Sequence, residues 1–555
     1  MSAIGRCSTG APDRVANACL VVLAGVLSLF GLVVRIWMVD HLPITSDQAV
    51  NGLMSLDILH GHFGAITWGQ TYGGVEPYVT SVLFALFGHS DTTLDITPVV
   101  LSFTASVQVY LIGRQFLARR LAGLGALAVW VWPAIVVSNG TQELGYRFAC
   151  LNLGLLAIIC AIRLRRRGPS SRRYAVLGVT LGLCLWADPE CIYFLVPCAV
   201  LVAPVVVRAW SSDRNATASG LLWGVTGVLV GGLPFWWSTL SSHAVPIAPY
   251  PGTLGTRATA LVTHALPLAL GLQVPGTGAW TGGPVLGITA YVVVLVSLIA
   301  GVVWALVRHR PRTVVCLVAF VVAYPVIYSL LPGTWYWQDG RYIVYLPYLL
   351  VVVALYPVGL LPWHRLVTGA VALFVSGAAL LTVAELTTAV PGLSWGALPH
   401  AFVVKRVSLA SLVAVLENHR IRLGYAGYWV AYNLDFESGG RLTFTPTDSD
   451  VVRNAAYLRQ VDDAATPAWI VCQSARSVRC VKAAGNAAVD PPGVTATSFT
   501  AWLHRRGIAS TTLRADGFAV VLPATKVTPA QLRSPDHRPG AATIRPARTA
   551  STSSR

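Results

Sequence analysis

Over most of this chain apolar residues do not alternate with polar ones; they run. Eleven such runs occupy residues 15–39, 96–113, 121–139, 148–162, 174–187, 191–207, 219–238, 284–307, 313–331, 343–361 and 366–386. A run of about 20 apolar residues spans a hydrocarbon core of roughly 30 Å as a helix. The pattern therefore predicts a polytopic α-helical membrane protein with about 11 transmembrane helices. The run 79–87 is too short to span and is expected as a juxtamembrane or re-entrant helix. Counting it as a span would move Arg114, Arg119 and Arg120 to the other side. From residue 390 the pattern changes to alternating stretches such as "RLTFTP" and "AWIVCQ" and a helical stretch "SLASLVAVLENH". This predicts a small α/β domain over 390–525. The segment 526–555 is rich in Pro, Arg and Ser and is expected to be a disordered basic tail.

The arginines orient the runs. Arg114, Arg119 and Arg120 follow the second run, "RLRRRGPSSRR" (163–173) the fourth, Arg208 and Arg214 the sixth, "RHRPR" (308–312) the eighth and Arg365 the tenth. Every second loop is basic, which places those loops in the cytoplasm. Residues 1–14 are then cytoplasmic, 15–389 form the membrane domain, and the α/β domain lies outside, in a multi-pass protein of a cytoplasmic-type cell membrane. The first run is read as a retained signal anchor, because it is too long for a signal-peptide core.

Composition changes the picture little. The chain is 55% hydrophobic and 11% charged, against about a quarter charged for an average soluble protein. The formal net charge of +17 is carried largely by the orienting loops, so it is no sign of nucleic-acid binding. Cys150, Cys160, Cys184, Cys191, Cys198 and Cys316 lie in or beside apolar runs, where cysteine acts as a small hydrophobe. Cys472 and Cys480 fall in the α/β domain, and the sequence is compatible with either a bridge or two thiols.

The remaining charges collect in the alternate, extracytoplasmic loops. The loop 40–78 holds Asp47, Asp57, His60, His62 and Glu76; "NGTQELGYR" (139–147) holds Arg147; "DPE" (188–190) holds Asp188 and Glu190; 239–283 holds Arg257; "PGTWYWQDGR" (332–341) holds Arg341, followed by Tyr342. Ionisable groups at a membrane edge are costly and default to a functional expectation. Ordinary roles compete with it. Asp47 or Ser46 can be a helix N-cap. Asp188, before Pro189, can start a turn. Arg341 can be a snorkelling interface residue, and the tryptophans of "PFWWS" and "TWYWQ" read as interfacial belts. Glu76 with His243 or His264 can hold a divalent metal, but no spacing defines a metal site.

Five stretches resemble the GT-C glycosyltransferases, family 39-like, which include bacterial protein mannosyltransferases and aminoarabinose transferases. "SDQAVNGLMSLDILHGHF" (46–63), with "WGQTYGGVEPYVTSVLFALFG" (68–88), resembles their first extracytoplasmic loop. "GLCLWADPECIYFLVPCAVL" (182–201), "DGRYIVYLPYLLVV" (339–352) and "GYAGYWVAYNLDFESGGRLTFTP" (424–446) resemble later segments in the same order. The resemblance implies transfer of a sugar from a polyprenyl-phosphate donor to an acceptor hydroxyl on a protein, lipid or glycan, with inversion. It implies Asp47 as base, and no Rossmann glycine fingerprint is needed. Arg147, Arg257 and Arg341, with Arg35 at the end of the first run, are the cations for the phosphate; Glu76, Asp188 and Tyr342 are the remaining substrate-binding candidates. One position departs: the family's Asp-Glu pair is Asp47-Gln48 here. That departure keeps a non-catalytic envelope assembly role open. A lipid-sugar transporter is the other alternative; the absence of a repeat and the gathering of charge at one face count against it.

Overall fold

The computed structural model describes residues 11–41, 44–70, 72–142, 146–241, 252–309, 314–335, 337, 340–389, 408–447, 451–474, 477, 480 and 494–533. It divides into two compact units. One comprises residues up to 410 together with 432–441; the other comprises 411–431 and the chain from 442.

The first unit is helical, and each of the eleven apolar runs contains most of a helix or of a broken helix pair. The helices that place the functional residues are α1 (Ala11–His41), α2 (Ser46–Leu59), α3 (Val75–Phe87), α4 (Asp91–Gly113), α5 (Arg119–Val131), α6 (Ala134–Asn139), α7 (Arg147–Arg167), α8 (Ser171–Ala187), α9 (Ile192–Ser212) and α10 (Arg214–Gly231). They are followed by α11 (Leu233–Ser241), α12 (Leu254–Ala260), α13 (Leu266–Ala269), α14 (Pro284–His309), α15 (Val315–Leu330), α16 (Leu346–Gly359) and α17 (His364–Ala389). Among the described residues six helices are long and apolar enough to cross a membrane, or seven if the bent pair α10–α11 is one span. The chain is a multi-pass membrane protein. Its spans present apolar side chains outward, for example Val21, Leu29 and Ile36 on α1 and Val285, Val296 and Ile299 on α14, as a lipid solvent requires.

Two features follow directly from sequence. The run 121–139 breaks into α5 and α6 at Trp132-Pro133, because proline has no N–H and disfavours helix in the residue before it. Helices α8 and α10 lie almost backbone to backbone. A Cβ at Gly178 would meet Gly224 O at 2.0 Å, and one at Gly231 would meet Val179 O at 2.3 Å. Only glycine permits that approach, the small-residue packing typical of membrane helices.

The second unit carries a five-stranded sheet ordered β2-β1-β3-β5-β4. β1 (Leu423–Ala426) runs parallel to β2 (Thr443–Pro446) and β3 (Ala468–Cys472). β5 (Phe518–Pro523) is antiparallel to β3 and β4 (Ser510–Ala515). The β4–β5 hairpin turns on Asp516 and Gly517, both at positive φ, as a two-residue turn requires. Tyr425, Trp469, Phe499 and Trp502 form its core. Cys472 and Cys480 are bridged, which settles the choice left open by sequence.

The boundaries drawn from sequence shift in two places. Residues 432–441 group with the helical unit although they lie inside the stretch assigned to the α/β domain. Phe436 stacks on Phe84 with ring centroids 6.0 Å apart, and its ring fills the space that a Cβ on Gly52 would take. The expected disordered tail starts too early at 526: Val527 and Leu532, 1% and 3% exposed, belong to the domain core. The rest of that tail, and residues 1–10 of the N-terminus, lie outside the described residues.

Candidate functional site

The start of α7 is the centre of a buried polar cluster. Its N-cap, Tyr146, offers no side-chain cap and has φ +104°, a strained setting for a bulky residue. Glu76 from the first turn of α3 supplies the missing cap. One carboxylate oxygen accepts the Tyr146 N–H and the other accepts the Ala149 N–H at 2.9 Å. An acid here also suits the positive end of the helix dipole.

Arg147 is the first residue of α7, where a cation opposes that dipole. It is nonetheless only 3% exposed. Its Nη2 donates to Glu190 Oε1 at 3.2 Å. Its guanidinium lies against the Tyr146 and Tyr342 rings, 4.9 Å and 4.8 Å from their centroids, a cation–π setting that weak hydration lets arginine enter. Nε and Nη1 are buried and donate to no group among the described residues.

Glu190 is placed by a 3₁₀ turn, Pro189–Cys191, between α8 and α9. Asp188 caps that turn, accepting the Glu190 N–H at 2.8 Å. Both acids are buried. Burial, and Glu190 beside it, raise the Asp188 carboxyl well above the ordinary carboxylate range, with Arg147 pulling the other way. The Tyr342 hydroxyl is likewise raised by burial, against the charges of Arg147 and Arg341. Tyr146 feels the same two arginines and Asp188. Tyr72 stands edge-on to Tyr146 at 5.0 Å.

Glu76, Arg147, Asp188, Arg341 and Tyr342 are thus brought together. Arg257 is employed elsewhere. From α12 its Nε donates to Ser329 O at 2.9 Å, in the last turn of α15, and its Nη1 to Gly252 O at 3.0 Å. A cation on a helix C-terminus is a structural cap. Asp47 lies half-buried in the first turn of α2. It is not the N-cap, and nor is Ser46. Thr45 is, in a capping box with Gln48; the signal was present in the sequence as Thr45-x-x-Gln48. Arg35 is fully buried, stacked on Trp130 at 3.8 Å and bonded to Gly31 O, Trp130 O and Ser102 Oγ.

Among the described residues no group of three or more His, Cys, Asp or Glu is placed to hold a metal. Both oxygens of Glu76 cap α7. His264 stacks on Trp337 at 3.7 Å with Nδ1 3.4 Å from Gln273 Oε1. His243 lies outside the described residues. Sequence reasoning left out Tyr146 and Tyr72. A tyrosine beside an arginine in "GYR" carries no mark of a left-handed backbone.

A cavity of about 540 Å³ with an almost wholly apolar wall, including Leu124, Trp132, Leu270, Leu350, Val351 and Phe374, opens between α5, α14, α16 and α17.

No family model and no curated sequence relative matches the chain. Solved structures do. ArnT from Cupriavidus metallidurans bound to undecaprenyl phosphate superposes with a TM-score of 0.59 at 14% identity, covering 91% of this chain and 98% of ArnT. ArnT in the apo state gives 0.57 at 14%, covering 92% and 98%. The apo oligosaccharyltransferase of Archaeoglobus fulgidus gives 0.46 at 11%, covering 84% and 71%. The likeness to ArnT extends over nearly the whole of both chains. The polytopic helical fold with a small C-terminal α/β domain expected from sequence is present, and it is shared with ArnT.

Proposed function

We propose that the chain is an integral membrane glycosyltransferase. It moves a sugar from a polyprenyl-phosphate donor to an acceptor hydroxyl outside the cytoplasm, in a cell membrane where the N-terminus is cytoplasmic. The observation that carries the reading is Arg147: a buried guanidinium between two tyrosine rings with Nε and Nη1 unspent. Unspent buried donors call for an acceptor, and a phosphate oxygen suits a guanidinium. The ArnT fold, solved with undecaprenyl phosphate, supports the same ligand class, and the apolar cavity is chemically suited to a polyprenyl chain.

The chemistry is a single displacement. Asp47 takes the proton of the acceptor hydroxyl as its oxygen attacks the anomeric carbon. The bond from that carbon to the phosphate oxygen breaks, with inversion, and the electron pair leaves with the polyprenyl phosphate. Arg147 and Arg341 stabilise the charge that develops there. Glu76 acts by holding the first turn of α7, and so Arg147, in place. Asp188 and Tyr342 border the sugar.

The test is sugar transfer by purified protein in lipid from a panel of labelled polyprenyl-phosphate sugars, with Asp47→Asn alongside. Transfer by the natural chain that the variant loses by about 10²-fold or more supports the enzyme class and the base together. Transfer by both removes Asp47 as base. Transfer by neither, with membranes supplying acceptors, overturns the reading in favour of a non-catalytic envelope protein.

A further inference from the structure

Gln48 ties the first turn of α2 both to its own N-cap and to α4. Gln48 is fully buried. Its backbone N–H donates to Thr45 Oγ1 at 3.3 Å, and its Oε1 accepts the Thr45 N–H at 2.7 Å. Its Nε2 donates to Asp95 Oδ1 on α4 at 2.6 Å. Asp95 is also fully buried. The same turn is braced from its other side, where Asn433 Nδ2 donates to Ile44 O at 3.1 Å. Asp47 lies between Thr45 and Gln48, so its backbone is fixed at both ends.

The Asp95 bond dictates an amide at 48. The side chain must accept from a backbone N–H at one atom and donate to a carboxylate at another. Glutamine does both. Glutamate does only the first, and would set a second carboxylate against Asp95.

We infer that Gln48 and Asp95 are a positioning pair for Asp47: their buried hydrogen bond aims the first turn of α2 so that the Asp47 carboxylate meets the acceptor hydroxyl. The inference rests on the reading of Asp47 as base. Gln48 is then a working part of the site, with the acid that pairs with position 48 carried on α4.

The test compares the natural chain with Gln48→Glu and with the swap Gln48→Glu/Asp95→Asn, measuring kcat, KM, pH dependence and melting temperature in lipid nanodiscs. Gln48→Glu is expected to lower kcat about 10- to 100-fold, the cost of a misplaced reacting group, with KM within about threefold of the natural chain's value. Its residual kcat should rise as pH falls, because two carboxylates in contact share a proton. In the swap, the amide introduced on α4 donates to the carboxylate introduced on α2, and that carboxylate still accepts the Thr45 N–H. Most of kcat should return and the pH dependence should vanish. Should Gln48→Glu not accumulate, Gln48→Met keeps the volume, drops both side-chain bonds and carries the same expected loss of kcat. Full kcat in the single variant, or a swap no better than the single variant, overturns the positioning pair while leaving the enzyme reading standing. No transfer by the natural chain overturns both.

Discussion

Arg35 and Arg147 are buried in the same helical unit and are engaged to different degrees. Among the described residues Arg35 has no carboxylate beside it, yet both of its terminal nitrogens are engaged, by two carbonyls and a hydroxyl, and Nε alone is left without an acceptor. The Trp130 carbonyl is available because α5 stops before Pro133, leaving its last carbonyls without helical partners. Arg147 has a carboxylate but spends only one of its nitrogens on it. The comparison teaches that a buried charge does not by itself mark a site. One arginine closes a break in a helix. The other keeps donors in reserve among acids and phenols.

Removing Arg147 should have the largest effect. Arg147→Ala leaves Glu190 buried without its cation, at a cost of roughly 3–5 kcal/mol of stability, and takes away phosphate stabilisation worth about 10²–10³-fold in kcat. Melting in nanodiscs and transfer rate are the two readouts. Arg147→Lys should keep most of the stability but lose much of the rate, since an ammonium lacks the planar fork.

Arg35→Met breaks the comparison from the other side. It strands the Trp130 carbonyl and leaves the Ser102 hydroxyl only its 3.5 Å contact with the Tyr348 hydroxyl, so stability should fall by about 1–3 kcal/mol, while kcat per folded molecule stays at the natural value. A kinetic loss with unchanged melting would place Arg35 in the site.

The smallest effect concerns Asp188. Its raised carboxyl means that the folded state holds a proton the unfolded chain has already released. Stability therefore falls as pH rises from the ordinary carboxylate range through the raised value. Asp188→Asn should flatten that fall in melting curves taken at increasing pH; an unchanged slope would assign it to another group.

The sequence made some of this legible and hid the rest for physical reasons. Apolar runs mark helices because the lipid demands them, and paired arginine loops order them. Arg147 and Asp188 stood out as charges that topology did not need. Arg257 stood out equally, and only its bond to Ser329 O sets it apart; a sequence does not say which carbonyls a helix end leaves open. Glu76 was legible as a candidate acid of the first extracytoplasmic loop, but its task depends on α7, some 70 residues on. Gln48 looked like a defect because its partner Asp95 is 47 residues away in sequence. The regrouping of 432–441 is a tertiary preference of Phe436 for Phe84, with no local signature.

The most direct test of the central claim is the affinity of the purified protein in nanodiscs for a short-chain polyprenyl phosphate, measured for the natural chain and Arg147→Ala, with Arg35→Met as the buried-arginine control. The account predicts that Arg147→Ala weakens binding by about 10- to 100-fold, the worth of charge-assisted hydrogen bonds, and that Arg35→Met binds as the natural chain does. Equal binding by Arg147→Ala and the natural chain would contradict it.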